Sequence, residues 1–140
     1  MGLERFPRQV QDSGADIVVI QFGHNDANRW DTDRGLVRVY DRGFTANLEE
    51  MIYRAREFGI RPYLCSLTPT RRSEQHAADC ERYDRLVREV AAVSIVPLID
   101  VRVAFTKDEY LMNDGLHLSE AGHEVYAAVV QEAIDAGRLW

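Results

Sequence analysis

The chain has 140 residues, 46% hydrophobic and 29% charged, with a formal net charge of −6. That suits one compact globular domain and is too short for two comfortable ones. The acidic balance excludes a nucleic-acid partner, which would need a basic stripe, and no apolar run approaches the roughly 20 residues of a membrane span.

Met1 to Pro7 contains no apolar signal core. The two cysteines, Cys65 and Cys80, make no disulfide framework and fit reduced core positions. The expected compartment is therefore cytoplasmic, leaving out of account any export signal ahead of Met1. Leu3 to Asp12 reads as a short helix closed by Ser13-Gly14. Asp16 to Phe22 is rich in β-branched residues without interruption, which predicts a strand buried on both faces. The segment Ala27 to Gly43 is long for a strand-to-helix connection, and long loops on a compact domain are often functional. It offers Trp30 and Tyr40 as apolar walls and Arg29, Arg34 and Arg38 as polar contacts, or else it is a solvated loop.

Phe44 to Phe58 places Phe44, Leu48, Met51, Ile52, Ala55 and Phe58 on one helical stripe, with Gly59 as its stop. Arg61 to Leu67 is the second expected strand, ended by Thr68-Pro69. Glu74 to Val93 is helical, with Tyr83, Leu86, Val87 and Val90 at helical spacing. Ile95 to Val101 reads as a third strand, and Ser119 caps a last helix running to about Ala136. Strands alternating with helices in this way imply a parallel sheet with right-handed crossovers. Ligands on such sheets bind beyond the carboxyl ends of the strands.

Two motifs fall at that edge. Gly23-His24-Asn25-Asp26 follows the first strand, and Asp114-Gly115-Leu116-His117 precedes the last helix. A carboxylate three residues before a histidine can accept a hydrogen bond from one ring nitrogen and leave the other as a base. The same spacing also suits a plain turn with His117 packed on the helix. The Asn25 amide can donate to a developing oxyanion, or Asn25-Asp26 can simply form an Asx turn. Each motif alone leaves both readings open.

Together, in this order and on this βα pattern, the two motifs resemble the SGNH/GDSL hydrolases across essentially the whole chain. The third block of that family is Gly-x-Asn-Asp and its fifth is Asp-x-x-His. The resemblance implies a three-layer α/β/α, flavodoxin-like fold with a parallel sheet, forming one domain over residues 1–140. It also implies hydrolysis of a small ester through an acyl-enzyme. On that basis Asn25 is an oxyanion donor, His117 the general base and then acid, and Asp114 the residue that orients His117. Gly23, Asp26 and Trp30 are the expected substrate-binding residues. The wording around Phe22-Gly23-His24-Asn25-Asp26 and Thr70-Arg71-Arg72 is similar to rhamnogalacturonan acetylesterase-like members, which suggests acetylated carbohydrates.

The family's first two blocks, including the Gly-Asp-Ser that holds the nucleophile, have no counterpart here. The first strands of the family fold are accordingly expected to be missing. Ser66, near the end of the second strand, is the best placed of the other serines, but no tight turn into a helix follows it. The alternative expectation is a non-catalytic SGNH-fold remnant or binding module. A flavodoxin-like nucleotide or signalling domain would share the architecture but leave both motifs unexplained. No cofactor and no metal site is implied, since the histidines and cysteines lack ligand spacing. A final expectation concerns strand 16–22: without its usual neighbour it exposes an apolar edge prone to self-association.

Overall fold

A computed structural model describes residues 2–137. Met1 and residues 138–140, which the one-domain expectation includes, lie outside the described residues. The described elements are α1 (Gly2–Gln9), β1 (Ile17–Ile20), α2 (Asp41–Glu57), β2 (Arg61–Cys65), α3 (Glu74–Val93), β3 (Leu98–Ile99) and α4 (Glu120–Gly137). The three strands form one parallel sheet in the order β1-β2-β3. Ile17 lies opposite Arg61, and Leu64 opposite Leu98.

The uninterrupted apolar character of the strands follows from layers on both faces of the sheet. Successive side chains on a strand point to opposite faces. Val18, Ile20 and Leu64 pack with Phe44, Leu48 and Met51 of α2 and Tyr83 and Val87 of α3. Ile17, Val19, Tyr63 and Cys65 turn the other way, towards Val125, Tyr126 and Val129 of α4. This is the three-layer α/β/α arrangement implied by the sequence. No helix among the described residues is long and apolar enough to cross a membrane.

Helix α3 matches its expected bounds. The Ser73 hydroxyl accepts the His76 N–H at 3.1 Å and so caps its first turn. The third strand is much shorter than expected. Ile95 takes φ 53°, and the Val96 N–H returns to the Ala91 carbonyl at 2.9 Å. The run Ile95-Val96 therefore closes α3 in a left-handed C-terminal turn instead of starting a strand.

At the carboxyl end of the sheet an ionic lattice fixes the roots of the loops. Arg88 reaches Asp84 at 2.8 Å and Asp100 at 2.7 Å. Asp84 accepts the Leu67 N–H at 2.8 Å, and Asp100 accepts the Ser66 hydroxyl at 3.0 Å. The Arg88 guanidinium holds the Asp100 carboxyl below its ordinary range. Strand β2 and helix α3 are thus tied together directly beneath the two motifs.

Candidate active site

The chain leaves β1 into a turn that only glycine fits at position 23. Gly23 has φ 139° and is buried, and a Cβ there would sit 2.6 Å from the Leu67 side chain. The Ala27 N–H closes the turn on the Gly23 carbonyl at 2.8 Å. The His24 ring tucks inward, donating from Nε2 to the Thr68 carbonyl at 2.9 Å, and burial lowers its pKa. Asn25 is left exposed at the carboxyl edge of the sheet. Asp26 is half-buried, and desolvation raises the pKa of its carboxyl.

The second motif folds as a tight carboxylate-centred turn. Asp114 Oδ1 accepts the backbone N–H groups of Leu116 at 2.9 Å and His117 at 3.0 Å. Its Oδ2 accepts from His117 Nδ1 at 2.5 Å. A carboxylate can only accept, so Nδ1 carries the proton and Nε2 presents its lone pair to solvent. His117, together with the two backbone donors, holds the Asp114 carboxyl at about 2, well below the usual carboxylate range. The His117 side chain is 71% exposed, so its ring is accessible from solvent. Ser119 fixes the far end of the turn. Its hydroxyl accepts the Gly122 N–H at 3.1 Å and donates to the Glu109 carbonyl at 2.6 Å, capping α4.

Some ninety residues separate the two motifs in sequence, and the β2–α3 connection joins them in space. The Thr70 hydroxyl and the Arg71 N–H both donate to the Gly115 carbonyl, at 2.9 and 2.7 Å. Gly115 has φ 68°, and a Cβ on it would meet the Arg71 backbone at 2.8 Å. On the other side, His76 Nε2 donates to the His24 carbonyl at 3.2 Å. The same connection thus braces both the Asn25 turn and the His117 turn.

A polar cleft of about 280 Å³ is lined among others by Asn28, the hydrogen-bond partner of Asn25, and by Trp30, Arg72, Gln75 and His76. Trp30 is 50% exposed at this cleft, with the Arg38 guanidinium 5.0 Å from its ring centroid. Arg29 is held away from solvent chemistry by Asp79, to which it donates at 2.6 and 2.8 Å. On the other side of Asn25 and Asp26 lies a more apolar cavity of about 480 Å³, walled by Leu3, Phe22, Phe44, Leu48 and Met51. Of the residues expected at the site, Gly23, Asn25, Asp26 and Trp30 lie in the segment after β1, and Asp114 and His117 in the turn before α4. The sequence reading gave Asn28, Thr70 and His76 no part in the site. Their only sequence signal was position, since all three lie in the segments that follow the carboxyl ends of β1 and β2.

Four of the five serines among the described residues have a hydrogen-bonded hydroxyl. Ser66 is fully buried, donating to Asp100 and accepting the Arg102 N–H at 3.1 Å. Ser13 donates to the Val10 carbonyl at 2.6 Å in its own turn. Ser73 and Ser119 cap helices, and Ser94 closes α3 at the opposite end of the sheet. The Cys65 and Cys80 thiols are buried, which pushes their pKa values up to about 11 and about 12.

Comparison with known proteins matches this geometry to a family. No curated protein matches the chain significantly. A lipase/acylhydrolase from Enterococcus faecalis is 31% identical, with a TM-score of 0.82 over 96% of this chain and 69% of its own. A GDSL-like lipase from Bacteroides thetaiotaomicron, 20% identical, superposes with a TM-score of 0.79 over 96% of this chain and 69% of its own. An acetylxylan esterase from Geobacillus stearothermophilus, 21% identical, gives 0.80 over 95% of this chain and 65% of its own. The last two establish the fold alone. The sequence model of the GDSL-like lipase/acylhydrolase family matches residues 1–125. The chain belongs to this family of ester hydrolases, known also as SGNH hydrolases.

Proposed function

We propose that this chain, as a single SGNH-type domain over residues 1–140, carries the acid–base and oxyanion parts of a carboxylic-ester hydrolase working through an acyl-enzyme. The observation that carries the reading is the 2.5 Å contact of His117 Nδ1 with an Asp114 carboxylate already anchored by two backbone donors. It presets the tautomer that a base needs. In the reaction a serine hydroxyl attacks the acyl carbonyl while His117 Nε2 takes its proton. Asn25 donates to the resulting oxyanion. His117 returns the proton to the departing alcohol, and water clears the acyl group by the same route. By resemblance the nucleophile is the serine of a Gly-Asp-Ser block, a tripeptide that does not occur in the 140 residues.

The alcohol side of the substrate fits the polar cleft. Trp30 offers a flat apolar face at its wall, and hydrogen-bonding side chains line the rest. This supports an acetylated carbohydrate as the substrate class. Gly23 sets the turn that presents Asn25, and Asp26 lines the neighbouring cavity.

A second reading, a non-catalytic remnant or binding module, is favoured by the described serines, four with bonded hydroxyls and Ser94 at the C-terminal end of α3. A serine-directed fluorophosphonate probe separates the two, applied to the chain and to any longer product of the same gene, alongside p-nitrophenyl acetate turnover. Labelling with turnover supports the hydrolase. Neither signal in either form supports the remnant.

A further inference from the structure

Three side chains outside the Asp114–His117 pair form a relay whose polarity is fixed at one end. Arg72 Nη1 donates to Asn28 Oδ1 at 3.1 Å, and Asn28 Nδ2 donates to Asn25 Oδ1 at 3.3 Å. A guanidinium has donors and no acceptor. Whatever faces Arg72 must therefore be the oxygen of Asn28. The Asn28 amino group then necessarily faces Asn25, which must turn its own oxygen inward to accept it. The amino group of Asn25 is left pointing away from the relay, where it has donors to offer.

We propose that Arg72 and Asn28 are positioning residues that set which end of the Asn25 amide faces the reacting carbonyl. The proposal rests on the hydrolase reading for its use, although the orientation itself does not. An exposed asparagine amide without such a partner presents its oxygen and its nitrogen with similar ease. Asn25 is exposed, so nothing else forces the choice. With its oxygen outward, Asn25 would meet the developing oxyanion with a partial negative charge and oppose the reaction. The base of the relay is held in place. The Arg72 N–H donates to the Thr70 hydroxyl at 3.3 Å, and that hydroxyl donates in turn to the Gly115 carbonyl at 2.9 Å. The group that orients the oxyanion donor is thereby referenced to the turn that carries the base.

The chain has four asparagines, at 25, 28, 47 and 113, so their side-chain amides are resolvable with selective ¹⁵N labelling. Arg72 is exposed, and its replacement leaves the core untouched. In Arg72→Met the amide signals of Asn28 and Asn25 shift while those of Asn47 and Asn113 stay. Arg72→Lys, still a pure donor, keeps the Asn25 pattern. Arg72→Glu, a pure acceptor, reverses it, so that Asn25 donates to Asn28. Where turnover of p-nitrophenyl acetate, which has no carbohydrate to place in the polar cleft, is measurable, Arg72→Met lowers kcat by about tenfold at unchanged KM, the order expected for one hydrogen bond. Deleting the donor itself costs ~10²–10³. Asn25 signals indifferent to both Arg72→Met and Arg72→Glu overturn the proposal, as does an unchanged kcat in variants whose Asn25 signals have reversed. The full spectral response without turnover in any form upholds the relay and removes the hydrolase reading instead.

Discussion

The Asp114 carboxylate does three jobs with two oxygens, accepting two backbone N–H groups and one imidazole N–H. Replacing it by asparagine keeps the shape but offers an N–H where an acceptor is required, so His117 adopts the wrong tautomer. For a catalytic His117, Asp114→Asn lowers kcat on the order of 10⁴-fold, measured as ester turnover, with the folded structure retained by circular dichroism. The pH dependence follows from the depressed Asp114 value. Its folded pKa of about 2 lies below the unfolded ~3.9, so its stabilising contribution is complete above about pH 4 and is lost as pH falls towards 2. Any loss of turnover on mild acidification therefore does not come from Asp114. Asp114→Asn should not remove the acid limb of a pH–rate profile. At the same scale the two thiols, buried and pushed up to about 11 and about 12, stay protonated near neutrality. Iodoacetamide at pH 8 is expected to label neither in the folded chain and both after denaturation.

At the scale of elements, the carboxyl end of β1 depends on a close approach. Gly23→Ala puts a Cβ 2.6 Å from Leu67 at φ 139°. The overpacking and the backbone strain together cost at least about 2 kcal/mol, which a urea denaturation midpoint would report. Elements were legible where local signals agreed with packing. Helix α3 has a capping serine, a 20-residue amphipathic run and a buried face, and its bounds follow directly. The start of β3 was not legible, because Ile95-Val96-Pro97 has the composition of a strand and the conformation of a helix exit. Ile95 is 86% exposed, a position its side chain alone would never suggest. Only the return of the Val96 N–H to Ala91 explains it, and that bond is invisible to periodicity.

At the scale of the whole molecule, the most uniformly apolar strand sits at the edge of the sheet. Ile17, Val18 and Val19 are half-buried, while the central β2 is buried from Pro62 onward. The outer ladder of β1 has no strand partner among the described residues. Helix α4, which packs against β3 at the other edge, has only Gly122 buried. An apolar edge of this kind invites pairing with another copy. Sedimentation velocity of the isolated chain is expected to show concentration-dependent association, and a monomer at all concentrations would show the edge to be adequately covered by α1. The division of the site between sequence and structure has the same origin. Asn25, Asp114 and His117 lie in short motifs whose residue types carry their chemistry. Asn28, Thr70, Arg72 and His76 matter through partners 44 to 52 residues away, and such distances are closed only by the fold.

The hydrolase reading turns on His117 as the base of the site. Its most direct test is kcat/KM for p-nitrophenyl acetate in the full-length gene product and its His117→Ala variant. A fall of at least ~10³-fold with the fold intact is expected. Turnover within a few-fold of the parent would contradict it.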